Sequence, residues 1–291
     1  MIERKARFTE RFHETDDGLY IHARDYAGPE GAATVVCLHG LTRNAADFEL
    51  LCEHLGGRYR WLAIEQRGRG RSDRDPDPSH YEVGRYVQDT LGMLDALAIE
   101  KPVLIGTSMG GLMSMLMLAA APDRYRGAVL NDIGPVVEAR GLARIASYVG
   151  KGVPLANWDE AAATVRASNG DAFPDYADAD WIAFARRLYR ERDDGMLVLD
   201  YDPAISQPFN ASQDNAAPLD LWSVFDAMGT TPLLVIRGAL SDILSAETVA
   251  EMQRRRPDLQ SAEVPRVGHA PMLDEPEALT AIECFMARVS N

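Results

Sequence analysis

Blocks of basic residues are nearly missing from this sequence. Outside residues 67–71 and the run Arg254-Arg255-Arg256, lysine and arginine form no long blocks. The chain therefore lacks the electrostatic footprint of a protein that binds nucleic acid or an anionic membrane. Its formal net charge is −14, which favours solubility and a mild preference for neutral or cationic substrates. Cysteine is scarce as well. Cys37, Cys52 and Cys284 stand without metal-site spacing and without the density of a disulfide framework; all three are expected in the core. No apolar run approaches the roughly 18 residues of a membrane span. Residues 1–7 are not followed by the apolar stretch of an export signal. The expectation is a cytoplasmic chain with no spanning helix. Internal repeats and low-complexity segments are missing too.

The 291 residues present are 46% hydrophobic and 25% charged. That suits one large α/β domain, alone or with an insertion, and a sizeable core. Residues 7–13 and 19–26 read as a β-hairpin around Asp16-Asp17-Gly18, which is turn chemistry. Residues 35–38 and 59–64 are continuous apolar runs, as strands buried on both faces would be. Between them a helix capped by Asn44 or Asp47 runs to about Leu55 and stops at Gly56-Gly57. Apolar residues at helical spacing predict a helix over 81–97. Further strands are expected at 103–105, 127–132, 232–236 and 260–264. Helices are expected at 112–121, 219–228, 246–256 and 275–289. Alternating units of this kind imply a mostly parallel sheet with helices on both faces.

From 136 to 219 the alternation stops. Helices are plausible there at 137–149, 158–168 and 179–192, amid many aromatics. This stretch reads as a helical cap inserted into a core made of residues 1–135 and 220–291. Trp158, Trp181 and Phe184 are candidates to line a substrate pocket.

Residues 66–73, Gln-Arg-Gly-Arg-Gly-Arg-Ser-Asp, form a glycine-bearing loop. A P-loop lysine and the strand–GxGxxG–helix register are both lacking, so a phosphate cradle is a poor fit. Arginines paired with acidic neighbours suit the loop better.

Strand, Gly106-Thr107-Ser108-Met109-Gly110, then helix is the nucleophile-elbow pattern in its required context. Ser108 is expected in a sparsely populated backbone region. Gly106 and Gly110 let strand and helix pass closely. The helix N-terminus then points its positive partial charge at a developing oxyanion. A serine hydroxyl needs a base within hydrogen-bond reach, and the base needs a group that fixes its tautomer. Of six histidines, only His269 lies late, in a loop after the last strand. Asp242 follows the strand at 232–236. Ser108, Asp242 and His269 thus come in the order Ser, Asp, His, all beyond carboxyl ends of strands. Asp132, after the strand that follows the elbow, is the alternative acid.

These motifs resemble the α/β-hydrolase superfamily, in its capped serine esterase and lactonase-like branch. The resemblance rests on Leu38-His39-Gly40-Leu41, the elbow at 106–111, Gly238-Ala-Leu-Ser-Asp242 and Gly268-His269-Ala-Pro271. It implies an α/β-hydrolase fold and a structural role for His39. It also implies an oxyanion hole made of the backbone N–H of Leu41 with that of Met109. The expected activity is hydrolysis of a small, mostly apolar carboxylic ester or lactone through an acyl-enzyme, with no cofactor or metal. Other outcomes on the same scaffold are carbon–carbon bond hydrolysis, cofactor-free perhydrolysis, and a hydrolase-like small-molecule receptor. Relatives that cleave carbon–carbon bonds often resemble this pattern with Trp after the histidine, where Ala270 stands here.

Overall fold

The computed structural model describes residues 8–215 and 220–290. Expectations for residues 1–7 and 216–219, which include the end of the inserted segment and the start of the helix at Leu219, lie outside the described residues. The frame is an eight-stranded sheet. In chain order its strands are β1 (Thr9–Glu14), β2 (Tyr20–Tyr26), β3 (Thr34–Leu38), β4 (Arg60–Ile64), β5 (Val103–Thr107) and β6 (Gly127–Asn131). A separate two-stranded ribbon is formed by β7 (Tyr189–Glu191) and β8 (Leu197–Leu199), and the sheet is completed by β9 (Leu233–Gly238) and β10 (Gln260–Val264). The order across the sheet is β1-β2-β4-β3-β5-β6-β9-β10. Within this sheet only the β1–β2 hairpin and its join to β4 are antiparallel; its other pairings are parallel.

The apolar runs form strands because both of their faces are covered. Val36, Leu38, Leu104 and Leu130 point into one core, and Val35, Cys37, Ile105 and Val129 into the other. The first core is covered by α2 (Val83–Ala96), α3 (Met109–Ala120), α8 (Leu221–Ala227) and α9 (Ala246–Arg255). The second is covered by α1 (Glu49–His54) and α10 (Pro276–Val289). Asn44 caps the short 3-10 turn that leads into α1, its side chain accepting from the Ala46 N–H. Cys37 and Cys52 are buried as expected, but Cys284 is exposed. Phe285 and Met286 take the buried side of α10 and leave Cys284 on the other.

Between β6 and β9 the chain leaves the sheet and forms α4 (Ala139–Tyr148), α5 (Trp158–Asn169), α6 (Asp178–Leu188), the β7–β8 ribbon and α7 (Ser206–Asn215). The helix expected over 179–192 stops four residues early. Tyr189 turns extended, and the Asp193-Asp194-Gly195 corner, with Gly195 at φ +79°, folds the chain into the ribbon, as Asp-Gly turns do. This segment does not float. Ile145, Val149, Tyr201 and Ile205 join the first core, and Phe173, Trp181, Phe184 and Leu197 join the second. No described helix is long and apolar enough to cross a membrane.

Candidate active site

β5 runs into Ser108, and α3 starts at the next residue. Ser108 sits at φ 53°, ψ −114°, a sparsely populated conformation that costs about 1–3 kcal/mol. The surroundings hold it there. Its N–H donates to the Asn131 carbonyl at 3.0 Å, and its own carbonyl accepts from Gly111 at 2.8 Å. The turn also demands glycine. A Cβ on Gly106 would fall 2.2 Å from the Gly110 carbonyl oxygen, and one on Gly110 would fall 1.9 Å from that of Leu38.

The raised hydroxyl meets His269. Ser108 Oγ lies 2.9 Å from His269 Nε2. The other ring nitrogen, Nδ1, lies 2.8 Å from Asp132 Oδ2. Asp132 is fully buried, directly after β6, at φ 55°. Its Oδ1 accepts from the Gly238 N–H at 2.8 Å and its Oδ2 from the Ser241 hydroxyl at 2.6 Å. A carboxylate that accepts three hydrogen bonds is an anchored one. Anchored this way, it takes the Nδ1–H of the imidazole and leaves Nε2 as the acceptor facing the serine.

This arrangement corrects the choice of Asp242 as the group beside His269. The loop after β9 turns back at once, the Ser241 N–H donating to the Gly238 carbonyl at 2.9 Å. That turn aims Ser241 at Asp132 and sends Asp242 outward. There Asp242 takes a two-pronged bond from Arg144 of α4, Nε to Oδ2 at 2.6 Å and Nη2 to Oδ1 at 2.8 Å. Burial alone would raise the Asp242 carboxyl, but the Arg144 pair outweighs it and holds it below its ordinary value.

Leu41 and Met109 lie on either side of the serine. A Cβ on Gly40 would stand 3.7 Å from Ser108 Cβ, so the loop carrying Leu41 packs over the elbow. Met109 opens α3, whose first N–H groups have no acceptor within the helix. His39, beneath that loop, is fully buried. Burial, opposed by its Gly40 carbonyl contact, pushes its pKa down to about 4. The ring is thus neutral: Nδ1 meets the Gly40 carbonyl at 2.7 Å and Nε2 accepts from the Gln66 N–H at 3.0 Å. Arg69 is the residue that reading along the chain missed. Buried entirely, it donates from Nε to the Leu41 carbonyl at 3.0 Å, and its Nη2 lies 3.9 Å from the Met109 sulfur. One guanidinium thus braces the two segments on either side of the serine. Its loop neighbours behave as expected: Arg67 pairs with Asp17, Asp75 and Asp89, and Arg71 with Glu10.

A cavity of about 340 Å³ opens at the serine, with Leu41, Ile145, Tyr148, Phe173, Phe184 and Met272 among its walls. Of the three aromatics expected to line it, only Phe184 does. Trp181 is buried inside the inserted segment, against Phe173, Tyr176 and Phe184. Trp158 lies beneath the Arg186 guanidinium, 4.4 Å from its ring centre, and is absent from the cavity wall. Both tryptophans serve the segment's own packing. The histidine loop is tied to this segment as well: the Gly268 N–H donates to the Ala172 carbonyl at 2.7 Å.

Among the described residues, Asp17, Asp75 and His80 present ligand atoms within 4.8 Å of one another. The Arg67 guanidinium already bonds both carboxylates, so that cluster has its cation.

Comparison with known proteins agrees with the geometry. The chain is similar to a 3-hydroxybutyrate-oligomer hydrolase of Cupriavidus necator, 36% identical over 270 residues and 90% of each chain. It is 32% identical over 249 residues to a 2-(acetamidomethylene)succinate hydrolase of Mesorhizobium japonicum, covering 85% of this chain and 86% of that one. Among solved structures, an alpha/beta hydrolase from Novosphingobium aromaticivorans superposes with a TM-score of 0.93 at 45% identity, over 98% of this chain and all of the other. The model of the alpha/beta hydrolase family matches residues 35–282, a span that takes in the elbow, the histidine loop and nearly all of the parallel part of the sheet. This chain is a member of the alpha/beta hydrolase family and, with it, a hydrolase of small molecules.

Proposed function

We propose that the chain is a serine hydrolase that cleaves a small carboxylic ester or lactone through an acyl-enzyme. One observation carries the reading: the Ser108 hydroxyl and the anchored Asp132 carboxylate sit on opposite nitrogens of one imidazole, at 2.9 and 2.8 Å. Ser108 Oγ attacks the ester carbonyl carbon and passes its proton to His269 Nε2. Asp132 keeps the imidazole in the tautomer that accepts it and stabilises the cation that results. The carbonyl oxygen becomes an oxyanion facing the N–H groups of Leu41 and Met109, donors typically worth about 3 kcal/mol each in the transition state. His269 gives the proton to the departing alcohol. Water then enters, loses a proton to His269 and adds to the acyl carbon. Breaking the bond to Ser108 releases the acid and restores the hydroxyl.

In this reading residues 1–135 and 220–291 form the catalytic core, and 136–219 a cap that walls the cavity. The similarity to a hydrolase of 3-hydroxybutyrate oligomers supports ester chemistry, because such oligomers are joined by ester bonds. The test is turnover of p-nitrophenyl acetate, short alkyl esters and a lactone panel by the wild-type chain and by Ser108→Ala. Burst release of p-nitrophenol from the wild type, and loss of nearly all turnover in the variant, is the expected result. Full activity in Ser108→Ala refutes it.

A further inference from the structure

Next to the serine cavity lies a second one, of about 700 Å³. Ser168 and His269 belong to the walls of both, so the cavities meet at the imidazole. Their chemistry differs. The first is walled largely by aliphatic and aromatic groups; of its charged side chains Arg43 and Asp47 pair with each other, and Lys151 stands at its wall. The second presents Arg140, Arg144 and Arg166, against Asp171 and Asp242. In a chain of net charge −14, this recess has more guanidinium than carboxylate.

The arginines are arranged for an anion. Arg140 and Arg144 are four residues apart on α4 and share one face of it. Arg144 already holds a carboxylate in the plane of its fork, that of Asp242, which is how guanidinium recognises carboxylate. Among the described residues Arg140 has no ion-pair partner, and it is exposed at the cavity. Arg166 is tied only to Asp178, in a pair whose side chains are 60% and 92% exposed, and such pairs hold little. The acidic remainder of the chain does not cancel this patch, because exposed charges beyond about 8 Å are largely screened at physiological salt.

The imidazole also fixes which end of a substrate faces the arginines. His269 hands its proton to the departing alcohol, so the alcohol portion lies on its side and the acyl portion stays over Ser108. We infer that the second cavity is an anion subsite for the alcohol portion, and that the preferred substrates are esters of hydroxy acids, with the free carboxylate of the alcohol half bound by Arg140 beside the Arg144–Asp242 pair. The inference rests on the serine-ester reading above and adds to it the charge and orientation of the substrate.

The experiment compares 3-butyryloxybutanoate with its primary amide, a neutral molecule of nearly the same shape. In the wild type, kcat/KM for the acid should exceed that for the amide by at least about tenfold, and the excess should shrink as salt is raised. In Arg140→Gln the ratio should fall towards one, and in Arg140→Glu it should drop below one. The ratio is taken within each variant, so a general loss of activity cancels. A wild-type ratio near one, or a ratio unchanged in both variants, overturns the subsite. If hydrolysis of both compounds persists in Ser108→Ala, the serine-ester reading itself has failed, and the subsite falls with it.

Discussion

Replacing Asp132 by Asn keeps the size of the side chain and nearly all of its contacts, yet it should be among the most damaging changes in the molecule. The carboxylate accepts on both oxygens: Oδ1 from the Gly238 N–H, Oδ2 from Ser241 and His269. An amide cannot accept on both. With its oxygen on Gly238, its NH2 faces His269 Nδ1, and the ring must accept there and carry its proton on Nε2. Nε2 then points a hydrogen at Ser108 and is no longer a base. With the amide flipped, its NH2 meets the Gly238 N–H, and two buried donors face each other, at a cost of about 1–3 kcal/mol. The flipped form keeps Nε2 as a base but carries that cost, so the form in which the base is lost prevails. A wrong tautomer of this kind typically lowers kcat by about 10⁴-fold, roughly 5 kcal/mol of barrier. Asp242→Asn is the control. It weakens a partly exposed pair with Arg144 and leaves both bonds of the imidazole in place, so kcat should fall less than about tenfold. Burst and steady-state kinetics on p-nitrophenyl acetate read both variants. An Asp132→Asn enzyme within tenfold of wild type, or equal losses in the two variants, would refute the assignment of the acid.

Two further outcomes follow from groups near the site. Burial holds His39 down to about 4, so in acid the unfolded chain binds a proton that the folded chain refuses. The stability this gives is complete above pH 6.5 and declines by roughly 3 kcal/mol as pH falls to 4. Asp200 works in the opposite direction. Burial, and then the nearby Glu65, push it up to about 6, so stability falls as pH rises from about 4 to about 6 and the loss is complete above that. Asp200→Asn should therefore raise the melting temperature at pH 8, change it little at pH 4, and steepen the acid loss; no gain at pH 8 would contradict this. Gly110→Ala places a methyl group 1.9 Å from the Leu38 carbonyl oxygen. The clash is with backbone and cannot be relieved by a rotamer change, so a destabilisation of about 3 kcal/mol is expected in chemical denaturation, together with loss of turnover.

The sheet was legible in the sequence because its strands are short apolar runs with turn residues between them, and because both faces are covered. Strand β10 fell on the residues expected, and the others within a residue or two. Ser108 and His269 were legible because each chemistry-bearing residue sits in a local pattern that needs it. The acid was not. Asp132 and Asp242 both follow strands that neighbour the site, and nothing local distinguishes them. What decides is a contact across more than a hundred residues, the Ser241 hydroxyl on Asp132, which turns the next side chain away. The Arg69 brace was hidden for the same reason: its partners are two carbonyls, a sulfur and the Tyr86 hydroxyl, and none of these shows as charge in the sequence. The inserted segment was readable as helical and aromatic. Which aromatic faces the cavity depends on how the helices rotate against one another, and sequence periodicity does not fix that.

The bond from Gly268 to Ala172 has a consequence for how such enzymes change. The imidazole hangs from a loop stapled to the very segment that shapes the binding cavity, so the two cannot drift apart independently. Grafting a foreign segment onto this sheet would tug on residue 269 even if every groove were well filled. New substrate ranges should thus arise more readily by altering side chains such as Arg140 within the existing helices than by exchanging the helices wholesale.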